Sequence, residues 1–170
     1  MANVIEGINK LLYVRALSDK ASMQGARLAL QTTHTLSAEA DNNTTSTKDG
    51  TINSRGTATF TLENEMLGSD DPTGKILYDA FIGGGTVEVW EVDFNKPASG
   101  TGKYNAKYMQ GKVTSWSGED PSDDNETVSY SISIDGVPQD GVVTLEKADI
   151  AALQYAFKDL SKDASTGEED

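Results

Sequence analysis

The sequence contains no cysteine in 170 residues. That absence excludes disulfides, thiolate metal ligands and thiol nucleophiles together, and it suits folding in a reducing cytosol. Histidine occurs once, at His34, so no second imidazole is present to share a metal. Long apolar runs are missing too. The opening MANVIEGINKLLYVRALSDK lacks a signal-peptide core, and nothing later approaches the roughly 20 apolar residues of a membrane span, so neither export by that route nor a membrane anchor is expected. Basic residues are scarce: 14 against 27 acidic ones, a formal charge of −13, with no basic cluster. Nucleic-acid binding needs clustered Lys and Arg that release counterions from phosphates, so none is expected here.

A chain of 170 residues can bury roughly 70% of its unfolded surface around one core, which predicts a single domain over residues 1–170. Residues 1–9 have no pattern and read as an N-terminal arm. KLLYVRAL and RLALQTTHTLS are strand-like and predict an antiparallel pair. Residues 38–56, AEADNNTTSTKDGTINSRG, are almost wholly polar and read as a long loop, of the kind that is functional or disordered. TATFTLENEM puts Ala58, Phe60 and Leu62 on one face of a half-buried strand. GSDDPTGKILYDAFIGGG predicts a short helix: acids and Pro72 open it, Ile76, Leu77, Ala80 and Phe81 form its stripe, and Gly83 to Gly85 end it.

TVEVWEVDF reads as a strand, and KYNAKYMQGKVTSWS as a longer one kinked at Gly111. ETVSYSISI sends Val128, Tyr130, Ile132 and Ile134 one way and Ser129, Ser131, Ser133 and Asp135 the other. EKADIAALQYAFKDL spaces Ile150, Leu153, Phe157 and Leu160 as a second helix, and residues 161–170 form an acidic C-terminal tail. Strands and short helices out of βαβ rhythm predict a mainly β (α+β) fold, a sandwich or barrel flanked by helix.

Few residues combine into chemistry. GSDDPTGK has the wrong spacing for a phosphate loop, and Ile76 follows its Lys75. Asp120, Asp123, Asp124 and Glu126 offer oxygen ligands without the EF-hand order, whereas Pro121, Ser122, Asp123, Asp124 and Asn125 are turn residues between two alternating segments. A hairpin turn is the better reading. Glu88 and Glu91 flank Trp90, but a catalytic pair is defined by separation in space, so no catalytic, metal or cofactor site is expected.

The order of features carries more. An arm leads into LLYVRAL and LALQTTHTLSAEADNNTTSTKDG, followed by GKILYDAFIGGGTVEVW and YMQGKVTSWSGEDPSDDNETVSYSISIDG. From about Lys10 to about Leu160 this resembles the major tail protein, or tail tube protein, of long non-contractile-tailed phages and prophages of Gram-positive bacteria. The resemblance implies a tail-tube-type β-sandwich or barrel with a flanking α-helix and extended arms, related in fold to the tube protein of type VI secretion. It implies a structural virion protein made in the host bacterial cytoplasm, neither enzyme nor cofactor-dependent. Its partners would be copies of itself in stacked sixfold rings, other tail proteins at the tube ends, and phage DNA passing through the lumen without specific binding.

Joining sheets edge to edge satisfies exposed strand edges, and a top-to-bottom contact that does not close gives a filament. The 38–56 loop and the termini would reach the next ring, with Asp41, Asn42, Asn43, Lys48, Asp49 and Arg55 as expected inter-ring or inter-subunit contacts. Six copies at −13 each carry about 78 negative charges, and a lumen of that sign would let DNA slide. Some relatives add an immunoglobulin-like domain; this sequence, ending at Asp170, is expected to carry none. The alternative is a small β-sandwich binding module, for carbohydrate or protein, using Trp90 or Trp116 as a platform, although both are more simply core residues.

Overall fold

The computed structural model describes residues 2–146. Its strands are β1 (Lys10–Ala16), β2 (Ala26–Arg27), β3 (Gln31–Thr47), β4 (Gly50–Leu67), β5 (Thr86–Pro97), β6 (Lys103–Glu119), β7 (Thr127–Ile134) and β8 (Gln139–Thr144). One helix, α1 (Pro72–Gly83), lies between β4 and β5. The strands form one antiparallel sheet in the order β2-β1-β5-β6-β7-β4-β3. β8 joins the first part of β6, Lys103 to Tyr108, and β7 joins the second, from Gly111 to Glu119.

The alternation of apolar residues makes this sheet curl. Leu12, Val89, Met109, Ile132 and Leu62, from five different strands, belong to one buried cluster with Leu77 of α1. A flat sheet could not bring those side chains together, so the apolar face is concave and α1 helps cover it. Helix α1 starts where the side chain of Asp71 accepts a hydrogen bond from the Thr73 amide at 2.9 Å, with Pro72 at its first turn. Gly84, at φ 70°, ends it in the left-handed region open to glycine.

Closure between β1 and β3 does not use a regular backbone ladder. The Gln31 side-chain amide donates to the carbonyls of Leu12 and Leu28 at 3.0 and 2.9 Å, and its oxygen accepts from the Leu12 amide at 2.9 Å. The side chain thus occupies the place of a strand at the seam. This corrects the expected pairing of KLLYVRAL with RLALQTTHTLS: only Tyr13 with Arg27 and Val14 with Ala26 pair there, and β5 is the main partner of β1. Leu30, at φ 50°, turns the chain so that Gln31 starts β3 against β4 instead.

Residues 38–56 are a second correction. They are not a loop but the outer half of a hairpin whose strands pair from Gln31 with Met66 to Thr47 with Gly50, turning at Lys48 and Asp49. Threonine favours extended backbone, and polarity on both faces marked exposure rather than irregularity. Residues 120–126 do form the connection between β6 and β7. Gly111 is not a kink either; the irregularity of β6 lies between Val113 and Ser115. The second helix and the 161–170 tail fall outside the described residues.

Gly111 is instead a point of close approach, where a Cβ would collide with the Ser133 carbonyl and the Ile132 side chain. Gly111→Val is therefore expected to destabilise by about 1–3 kcal/mol, measured by urea unfolding. Gly141→Ala, where a Cβ meets open space, should change stability by less than about 0.5 kcal/mol.

Candidate functional site

The β3–β4 hairpin is the most prominent feature outside the core. β7 leaves β4 at the pair Ile134 and Phe60, opposite Ala38, and the hairpin continues as a two-stranded ribbon to Thr47 and Gly50. At about 3.3 Å per residue that projection is roughly 30 Å. Residues 41–55 are all exposed. Asn42 pairs with Arg55, Asn43 with Ser54, Lys48 and Asp49 form the tip, and Asp41 sits against Gly56 beside an irregularity in the ladder. All six residues expected to make contacts are thus gathered on one ribbon. Its side-chain bonds, such as Thr44 donating to Asn53 at 2.8 Å, stay within it.

At the root of the ribbon the convex face of β6, β7, β4 and β3 is built from small hydroxyl residues. Ser117, Ser129, Glu65 and Thr33 stand in one row across the strands, and Ser115, Ser131, Glu63 and Thr35 in the next. The intervening positions Val128, Tyr130, Ile132 and Leu62 are buried on the other face. The strict alternation read from ETVSYSISI is therefore what separates core from surface.

Two carboxylates on β5 hold the concave and outer sides in place. Glu91 accepts from His34 Nε2 at 3.0 Å and pairs with Lys10 at 3.7 Å, tying β5 to β3 next to the Gln31 seam. The His34 hydrogen bond holds its carboxyl below the ordinary range against the opposing effect of burial, helped by the charges of His34, Lys10 and Lys107. Glu88 points the other way. Burial pushes its carboxyl up, but hydrogen bonds from Arg15 and Tyr108, both at 2.6 Å, outweigh that and leave it lowered. Arg15 also donates to the Met23 carbonyl at 2.9 Å and lies 5.1 Å from the Trp90 ring centre.

This arrangement dismantles two alternatives weighed on the sequence. Glu88 and Glu91 lie on opposite faces of β5, each engaged by its own partners, so they do not flank a common reacting atom. Trp90 is packed by the Gly25 backbone, Arg15 and Tyr108, while Trp116 stacks on Tyr130 at 5.6 Å with Tyr78 edge-on. Both rings are used in packing. Among the described residues, no group of three His, Asp or Glu side chains is arranged to hold a metal, and no helix is long and apolar enough to cross a membrane.

A curled antiparallel sheet with one covering helix and a projecting hairpin is the fold of a tail tube subunit. Residues 4–140 match the family described as phage tail tube protein, and the chain belongs to that family. A protein of Staphylococcus phage phiMR25 assigned to the tail is 29% identical over 177 residues, covering 99% of this chain and 90% of its own. The fold is similar to the SPP1 tail tube subunit solved by solid-state NMR and cryo-electron microscopy, with a TM-score of 0.75 at 18% identity over 97% of this chain and 96% of that one. It is also similar to a subunit in the tail of a gene transfer agent particle refined with C6 symmetry, at a TM-score of 0.63 and 12% identity over 80% and 98%. The protein is a structural component of the phage virion, not an enzyme.

The Glu91 network makes an acid-stability prediction. Its folded-state pKa is lowered, so its stabilisation is complete above the ordinary value of 4.5 and is lost as pH falls through the lower folded value. Glu91→Gln should cost about 1–3 kcal/mol at neutral pH. Urea unfolding across pH 7 to 3 should show the gap between wild type and variant narrowing below pH 4.5; a constant gap would contradict this role.

Proposed function

We propose that this chain closes into hexameric rings that stack into the tail tube of a long non-contractile tail, the conduit for DNA ejection. The observation that carries this reading is the projecting hairpin. An isolated two-stranded ribbon is marginally stable in water, and this one has neither a third strand nor an apolar face to support it. A ribbon of roughly 30 Å is suited to lie against a neighbouring copy, which would satisfy its edges and bury Ile52, 60% exposed near the tip. Asp41, Asn42, Asn43, Lys48, Asp49 and Arg55 are the contact residues in this reading. The arm of residues 1–9 and the 161–170 segment add reach within one tube domain of residues 1–170, and other tail proteins meet the two ends.

Family membership supports self-assembly, and the C6 symmetry of the gene transfer agent tail, a property of that particle, favours six as the ring number. A contact from hairpin to next ring is heterologous and open, which makes length without a fixed stop.

Negative-stain microscopy of concentrated protein should show rings or tubes of uniform width. Replacing residues 41–57 by Asn-Gly joins the paired residues Ala40 and Ala58 through a two-residue turn. That variant should keep the unfolding transition of the parent yet form no tubes; tubes of normal length would remove the hairpin from the stacking contact.

A further inference from the structure

We infer that the hydroxyl face of β6, β7, β4 and β3 lines the bore, and that it is non-adhesive to a passing polyanion because it lacks free cations and large apolar groups rather than because it is densely acidic. The inference rests on the tube reading above and assigns that tube an inner surface.

Adhesion of a duplex to protein comes mainly from Lys and Arg that displace counterions from phosphates. A surface over which DNA must slide therefore has to withhold cations. Along the pairings that cross the four strands, the outward positions are Ser and Thr almost throughout, interrupted by the carboxylates Glu63 and Glu65 on β4. Lys112, opposite Ser133, is the one cation in these rows, and it is not free. Its ammonium donates to the Gly84 carbonyl at 3.0 Å, at the end of α1, where the helix dipole also favours a positive charge. The charge is thus drawn to the margin of the face.

Apolar groups are withheld as well. The large apolar side chains that are exposed, such as Ile8, Ile82, Val137 and Val142, lie outside these rows. Ser and Thr present short, neutral side chains whose loss of water contacts is small and whose hydrogen bonds are easily exchanged. Glu63 and Glu65 add repulsion at two levels per subunit. The remaining lysines near the groove at the arm, Lys10 and Lys107, are occupied by Glu91 and Asp140 on another part of the molecule.

The lack of cysteine gives a clean test. Ser115 and Ser133 are both exposed in the subunit. Ser115→Cys and, separately, Ser133→Cys should react with a small maleimide and with a maleimide carried on a large globular protein while the chain is unassembled. After tube formation the small reagent should still react and the bulky one should fail. Labelling of intact tubes by the bulky reagent at both positions would overturn the placement while leaving the tube reading standing. If wild-type protein formed no rings or tubes, the tube reading itself would fall, and this inference with it.

A second arm tests the chemistry. Tubes of Ser133→Lys should retain short duplex DNA at low salt and release it at high salt, whereas tubes of Glu63→Gln with Glu65→Gln should retain none. Retention by the Gln tubes equal to that by the Lys tubes would show that acidity, not the absence of cations, keeps the bore free.

Discussion

The sheet has to close on itself, and the rest of the structure follows from how that closure is achieved. Five strands and α1 contribute to one apolar interior, so the two ends of the sheet are brought near each other. They are joined not by a regular ladder but by the Gln31 amide against Leu12 and Leu28 and by Glu91 against His34. These bonds are shielded from water, which raises their value and the cost of losing any one partner. Because they grip the first residues of β3, they also fix where the long hairpin begins.

From that root the same two strands serve different purposes along their length. Between Leu62 and Met66 β4 buries one face and offers Glu63 and Glu65 on the other. Past Phe60 it has left β7, and both faces are polar. The subunit thus combines a rigid wall with an extension that the fold of one copy does not support. Stability and assembly draw on separate parts of the chain, which lets the wall remain smooth while the ribbon makes contacts.

Much of this was legible where one rule governed a segment. The alternation of Val128, Tyr130, Ile132 and Ile134 with serines gave the strand and its buried face, because a period of two has a single interpretation when one face meets a core. Asp71, Pro72 and Gly84 marked the helix ends through local backbone chemistry. The acidic stretch after Glu119 was legible as a turn for the same reason. Residues 38–56 were misread because a strand with two wet faces has no hydrophobic period, and composition then looks like a loop. The Gln31 seam and the Arg15 and Glu88 pair had no signal at all, since they join residues distant in sequence; only Leu30 interrupting the alternation stood near the seam.

Hydrogen exchange compared between isolated subunit and assembled tube measures the division between wall and ribbon most directly. Amides of residues 60–67 and 128–134 should exchange slowly in both states, while those of residues 41–57 should exchange fast in the subunit and become protected on assembly. Core-level protection of residues 41–57 in the isolated subunit, or no gain on assembly, would contradict a ribbon that depends on its neighbour.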